Sequence, residues 1–314
     1  MGSADHCHLM TALGEKHGDA LEVDLRPATF GIGGVSPVEP RDAHRDTVVK
    51  KPVPWVGYRH PVSKPVPEVS PWRATVARSR RLFTDFLVEQ SDPDRFYQAL
   101  AADSAGQVDS WHPLTGALML DVGGGPGFFQ SAFEARGAAY IAVDADAGEM
   151  RLHGRTPSRR TVQADGRLLP FANATFDVTY SSNVAEHVAE PWRMADDMVR
   201  VTRPGGTVVL SYTLWWGPWG GHETSPWHLL GGERAARRYR RRMGHEPKNR
   251  FGSSLFPITL AEGERWARRQ RRAELLAVVP RYFPEWARSV ASVPVLREIA
   301  CWNAMFVLRR RDVP

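Results

Sequence analysis

The chain of 314 residues is short of several things, and each shortage removes a class of protein. It has two cysteines, Cys7 in a polar segment near one end and Cys301 at the start of an apolar segment near the other. A disulfide framework is therefore not expected, and the thiols suit a reducing compartment. No apolar run approaches the roughly 18 residues that a membrane-spanning helix needs. The first residues lack a basic start followed by an apolar core, so no secretory leader is expected and the cytoplasm is the expected location. Lysine is nearly missing: of 41 basic residues, 36 are Arg and 5 are Lys. Arginine is thus the general choice for exposed positive charge, and the net charge of +6 does not by itself single out an anionic partner.

What is present concentrates in residues 118–129. An apolar run, Leu118-Met119-Leu120, ends in Asp121 and is followed by Val122-Gly123-Gly124-Gly125-Pro126-Gly127-Phe128-Phe129. A strand, a glycine-dense turn and a helix start form a cradle in which the backbone can approach a ligand closely. A dinucleotide fingerprint needs G-x-G-x-x-G, but counting from Gly123 or Gly124 puts Phe128 or Phe129 where the third glycine belongs. The chain reads instead Asp121-x-Gly123-x-Gly125-x-Gly127. Residues 139–144 predict a second buried strand ending in Asp144, 23 positions after Asp121, where a carboxylate can accept from ribose hydroxyls. Residues 161–165 predict a third strand tipped by Asp165, residues 176–183 a fourth and residues 205–212 a fifth. Apolar strands alternating with helix-length connections predict a parallel, doubly wound α/β sheet.

The ordered set D-V-G-G-G-P-G, V-D, A-D-G-R-L-L-P-F, F-D-V-x-x-S-S-N-V-A-E-H-V and R-P-G-G resembles the class I S-adenosylmethionine-dependent methyltransferases of small-molecule type, over about Leu118 to Tyr212. The S-S-N-V-A-E-H-V run, the Trp- and His-rich segment after strand five and Ser292–Glu298 are similar to a group of uncharacterised actinobacterial methyltransferases, over about Arg73 to Leu308. The resemblance implies a seven-stranded Rossmann-like sheet with helices on both faces and a cap segment inserted after strand five. It implies S-adenosyl-L-methionine as cofactor, with Gly123, Gly125 and Gly127 along its methionine moiety and Asp121 on its ammonium. Asp144 would take the ribose and Asp165 the adenine amino group, with the Gly166 N–H facing the ring. Ser182 and Asn183 would close the site beside the methyl group, and Met150 would stack on adenine unless it is plain core.

The flanks read differently. Residues 27–71 hold nine prolines and sustain no apolar period, so residues 1–72 are expected to be a Pro-rich, disordered extension. His6 and His8 lack further spaced ligands and read as a solvated tail. Residues 73–314 would form the methyltransferase domain, with leading helices over 73–110 that either cover the cofactor mouth or merely pack on the sheet. Residues 213–256, long for a connection, are expected on the substrate side. There Trp215, Trp216, Trp219 and Trp227 offer either a flat surface for an apolar or ring-bearing acceptor or a loop pinned by its own aromatics. A helix from Glu233 to Met243 presents Ala235, Ala236, Tyr239 and Met243 on one face and arginines elsewhere. With a second basic cluster at Arg265–Arg272 it suits a solvated face, phosphate or an anionic membrane; no RNA-binding module is visible, which argues against nucleic acid. Residues 284–299 predict an amphipathic stretch with Trp286, Val290, Val293 and Leu296 apolar, suited first to core packing and otherwise to lining the acceptor pocket or touching a membrane surface.

Methyl transfer to oxygen usually needs a base, and His187 and His222 are the two candidates. Some quinone-type O-methyltransferases carry E-x-x-E-H at this point as metal ligands; here Asn183 replaces the first Glu, so no metal is expected. The sequence therefore predicts methylation of a small-molecule or lipid-linked acceptor, at oxygen before nitrogen or carbon. A non-catalytic nucleotide- or partner-binding module on the same fold stays open, as does, less favoured, an NAD(P)-dependent oxidoreductase.

Overall fold

The computed structural model describes residues 72–89, 91–154, 158 and 160–313. The expected N-terminal extension, with Cys7, His6 and His8, lies outside them except for Trp72, whose indole N–H donates to Asp103 at 3.0 Å.

Two helices lead. Thr75 caps α1 (Val76–Phe86) by accepting from the Arg78 N–H, and Asp92 caps α2 (Pro93–Asp109), with proline at the first position where no N–H is missed. Seven strands follow, the first four close to their expected places: β1 (Leu118–Val122), β2 (Ala139–Asp144), β3 (Thr161–Gln163), β4 (Phe176–Ser182), β5 (Thr202–Thr213), β6 (Ala273–Pro280) and β7 (Asn303–Arg310). Between them run α3 (Gln130–Glu134), α4 (Pro191–Val201), α5 (Gly232–Met243), α6 (Leu260–Arg269) and α7 (Leu296–Ala300). The seven strands make one sheet in the order β3-β2-β1-β4-β5-β7-β6, with β7 antiparallel to both its neighbours and the rest parallel. This is the doubly wound Rossmann-like sheet that the sequence predicts. β5 begins earlier than expected: Thr202 already pairs with Phe176, and the turn through Gly205 at φ +75° forms a bulge before the register resumes at Thr207↔Val178.

Alternate strand residues point to two apolar layers. On one face Leu120, Val122, Val208 and Leu210 pack with Met194 and Met198 of α4 and Trp266 of α6. On the other, Met119, Tyr140, Val178 and Val209 pack with Ala105 and Val108 of α2 and Phe133 of α3. The central strands are therefore sealed on both sides, and chemistry is confined to their C-terminal tips.

One expectation fails. Of the apolar residues in 284–299, Val290 packs against the core but the other large ones do not. The 3-10 helix Glu285–Ser292 buries Ala287 and Ala291, while Trp286 is 77% exposed and Val293, Leu296 and Ile299 also face outward. Small side chains at positions four apart let this segment lie close to the domain and push its bulky residues to the opposite face.

A buried polar layer joins α1 and α2 to the sheet. Arg78 forks onto Asp103 with two bonds of 2.6 Å and also donates to the Arg281 carbonyl. Both charged side chains are buried, so removing one leaves the other uncompensated. Asp103→Ala is expected to lower stability by about 3–5 kcal/mol in urea denaturation, and Arg78→Met with Asp103→Leu to recover most of it. A loss below about 1 kcal/mol for the single change would mean that this pair does not anchor the leading helices.

Candidate functional site

The glycine turn after β1 sits where four parallel strands end. Gly123, Gly125 and Gly127 all have positive φ, at +83°, +49° and +80°. The N–H groups of Gly123 and Gly124 both donate to the Val143 carbonyl, which folds the turn against the tip of β2. A Cβ at 123 would run into the Val184 side chain, whereas one at 125 would meet nothing within 4 Å. The turn is thus pressed against the loop after β4 on one side and open on the other. That is the form of a ligand cradle.

The three acidic strand tips have three different environments. Asp121 is buried at the end of β1, where burial pushes its carboxyl up to about 7 despite the 2.5 Å hydrogen bond from the Tyr140 hydroxyl. Asp144 is half-buried and braced by backbone: Gly125 N–H donates to Oδ2 and Asp146 N–H to Oδ1, each at 2.9 Å. Burial still raises its pKa. The carboxylate is held in place, and each oxygen keeps a lone pair for a further donor. Asp165 is exposed and gripped by the Arg167 guanidinium at 2.7 Å, which lowers its pKa. An adenine amino group there has to share or displace that ion pair. Gly166 packs beside Val122 and Met194, where a Cβ would be tight. Met150 lies in the 3-10 helix Glu149–Gly154 and is buried, yet belongs to neither core layer.

Ser182 and Asn183, at the tip of β4, are both engaged. Asn183 takes φ +55° and its Oδ1 accepts from Asn303 Nδ2 at 2.6 Å. Ser182 accepts from Arg281 Nη1 at 2.5 Å. Arg281, just past β6, is fully buried and also donates to the hydroxyls of Ser211, Ser104 and Tyr180. Sequence reasoning missed it; the only signal is an arginine directly following an apolar strand.

His187 and His222 come together from 35 positions apart, with ring centroids 4.9 Å from each other. His187 Nδ1 donates to the Ser254 carbonyl at 2.7 Å, so its Nε2 carries the lone pair. His222 is held down to about 4 by burial, with His187 adding to the effect, so it is neutral near pH 7. Beside them, Glu186 is buried and accepts from the Thr213 N–H.

The leading helices close over the same side. Tyr97 of α2 stacks on Phe128 of the glycine turn at 4.7 Å, and its hydroxyl donates to Glu89, a carboxyl that burial raises. Phe83 and Phe86 of α1 meet Trp219 from the segment after β5, which in turn packs on Trp302. The four expected tryptophans divide: Trp215 is buried against His228 and Phe251, Trp219 lies in this seam, and Trp216 and Trp227 are exposed.

A cofactor with an ammonium, a ribose and an adenine meets a partial fit. The open side of Gly125, the buried Asp121 and the braced Asp144 suit its methionine and ribose ends. At the adenine end Met150 is available, but Asp165 is already paired.

Residues 120–210 match a family described as a methyltransferase domain. The chain is similar to an uncharacterised methyltransferase of Mycolicibacterium gilvum, 53% identical over 248 residues, covering 76% of this chain and 96% of that protein. It is similar to another of Mycobacterium tuberculosis, 52% identical over 252 residues, covering 77% and 98%. Among solved structures it resembles, distantly, an S-adenosylmethionine-dependent methyltransferase of Mesorhizobium loti, at 19% identity and a TM-score of 0.47 over 67% of this chain and 98% of that one.

The Tyr140 hydroxyl favours the charged form of Asp121, so Tyr140→Phe is expected to move that carboxyl above its value of about 7. Carbon-13 NMR titration of labelled aspartate reads this directly. A pKa that stays put or falls would show that the short contact does not stabilise the carboxylate.

Proposed function

The chain belongs to this family of methyltransferases, and on that premise we propose that it carries a methyl group from S-adenosylmethionine to an oxygen of a small or lipid-linked acceptor. The observation that carries the cofactor half is the glycine turn tied by its own Gly125 N–H to the strand-two carboxylate, with a second carboxylate buried behind it. When bound, the cofactor supplies a methyl on a sulfonium, open to in-line displacement. The protein's part is to align the groups and exclude water.

Ionised Asp121 holds the ammonium through water, while Gly123, Gly125 and Gly127 lie along the methionine moiety. Asp144, already fixed by two backbone donors, accepts from the ribose hydroxyls. Met150 lies against the adenine; Asp165 serves its amino group with the Gly166 N–H facing the ring. Ser182 and Asn183 close the methyl end, and α1 and α2 cover it. Residues 73–314 act as the catalytic unit, with 213–256 on the acceptor side. His187 and His222 serve the acceptor oxygen, since a hydroxyl must lose its proton as it is methylated.

A lipid-linked or membrane-borne acceptor is favoured by one surface. α5 presents Arg234, Arg237, Arg238, Arg241 and Arg242 as exposed side chains, and Arg238 lies over the exposed Trp227 ring at 4.0 Å. Leu229 and Leu230 are exposed next to it. Arginines beside exposed Trp and Leu suit peripheral contact with an anionic bilayer. Among the described residues no helix is long and apolar enough to cross one.

Cofactor affinity should rise about tenfold between pH 6 and 8, as a carboxyl of pKa about 7 ionises, and Asp121→Asn should flatten the profile. Asp144→Ala should weaken affinity by roughly 10- to 150-fold, the worth of hydrogen bonds to a charged group. Calorimetry on the folded chain reads both, and unchanged affinity in Asp144→Ala would overturn the cofactor assignment.

Methyl-labelled cofactor incubated with cell extracts should place label in the lipid fraction as an ether or ester. Arg237→Glu with Arg241→Glu should cut that transfer and leave cofactor affinity alone. Label confined to the aqueous fraction would rule out the membrane-borne acceptor, and label on nitrogen or carbon the oxygen.

A further inference from the structure

We infer that Glu186, His187 and His222 form a binding site for one divalent transition cation of the zinc class. One ligand atom from each lies within 4.8 Å of the others, and among the described residues no other trio of His, Cys, Asp or Glu does so. The donor set, two imidazoles and one carboxylate, is that of open sites holding Zn²⁺ and similar ions, in which water or substrate takes the remaining positions. A cation about 2.0–2.2 Å from each would need the ligand atoms about 3.5 Å apart, which side-chain rotation of roughly an ångström provides.

Three features of the cluster point to a cation rather than to packing. Glu186 Oε2 and His222 Nε2 are both buried with no hydrogen-bond partner among the described residues, an arrangement that wastes two strong acceptors unless something positive sits between them. The ligands are also pre-set from behind. The Thr213 N–H holds Glu186 Oε1, and the Ser254 carbonyl accepts from His187 Nδ1, fixing the tautomer that leaves Nε2 free. Finally, Glu223, next to His222 in the chain, has a second buried oxygen without a hydrogen-bond partner among the described residues.

The sequence argued against a cation because Asn183 stands where a first acidic ligand would be. The structure gives Asn183 to Asn303 and brings His222 from the segment after β5 instead. The site thus joins the strand-four tip to that segment. Its role in catalysis rests on the acceptor lying on this side: the cation would take the acceptor oxygen in an open position, and the two histidines would act through it. Cation binding itself does not rest on that reading.

The test uses the full untagged chain, stripped with chelator and titrated with Zn²⁺ and Co²⁺ in the absence of S-adenosylmethionine. The expected result is one equivalent lost in Glu186→Gln and in His222→Ala, each at least about 100-fold weaker. Bound Co²⁺ should show the intense visible bands of four- or five-coordination. His6 and His8 remain in every variant, so any binding by them cancels in the comparison. Both variants should keep S-adenosylmethionine affinity, which reports that they are folded. Wild-type chain that takes up neither ion, or takes up no more than Glu186→Gln, overturns the inference whether or not the variants fold. Failure here with intact cofactor binding leaves the transferase assignment standing.

Discussion

A buried guanidinium held by four hydroxyls, with no carboxylate ion pair among the described residues, ties this domain together. Arg281 is buried, and its four terminal donor bonds end on the hydroxyls of Ser104, Tyr180, Ser182 and Ser211. Those residues belong to α2, β4 and β5, while Arg281 itself leads out of β6. A cation taken out of water is costly unless its donors are met; here both terminal nitrogens are met while Nε has no partner among the described residues, and meeting those two requires these elements to arrive together. The nearby Arg78–Asp103 pair extends the layer to α1, and the Arg281 carbonyl closes it by accepting from Arg78. Cooperative polar networks of this kind favour one arrangement over many. Here the arrangement selected is the one that brings the strand tips and the leading helices together.

At those tips three aspartates behave differently because their surroundings differ. Asp121 faces desolvation and a phenol, so its charge is conditional near neutral pH. Asp144 is oriented by backbone donors and stays half-exposed. Asp165 is committed to an arginine on the surface. One residue type at three neighbouring strand ends thus gives a switchable anion, a fixed acceptor and an ion pair. The chain pattern alone would treat them as equivalents.

The sheet was legible because buried parallel strands must be continuous apolar runs bounded by turn residues, and β2 appears within its expected limits. The glycine turn was legible because glycine takes the positive φ found at 123, 125 and 127 with least steric cost. What escaped notice depends on distance in the chain. Arg281 meets Ser104 across 177 positions, and no local pattern announces that pairing. His222 reaches His187 through a segment whose path is set by Trp215 and Trp219, so their meeting is a property of the folded loop. The stretch 284–299 misled because its apolar period is real but its buried positions are Ala287 and Ala291, with Val290 only partly covered. Amphipathicity indicates that a segment has two faces; side-chain volume then decides which face can approach the domain.

The aromatic seam through Phe83, Phe86, Trp219 and Trp302 has its own consequence for local stability. The leading helix and the post-β5 segment share one set of ring contacts, so loosening either wets the apolar surface of the other, and the two segments melt as one unit.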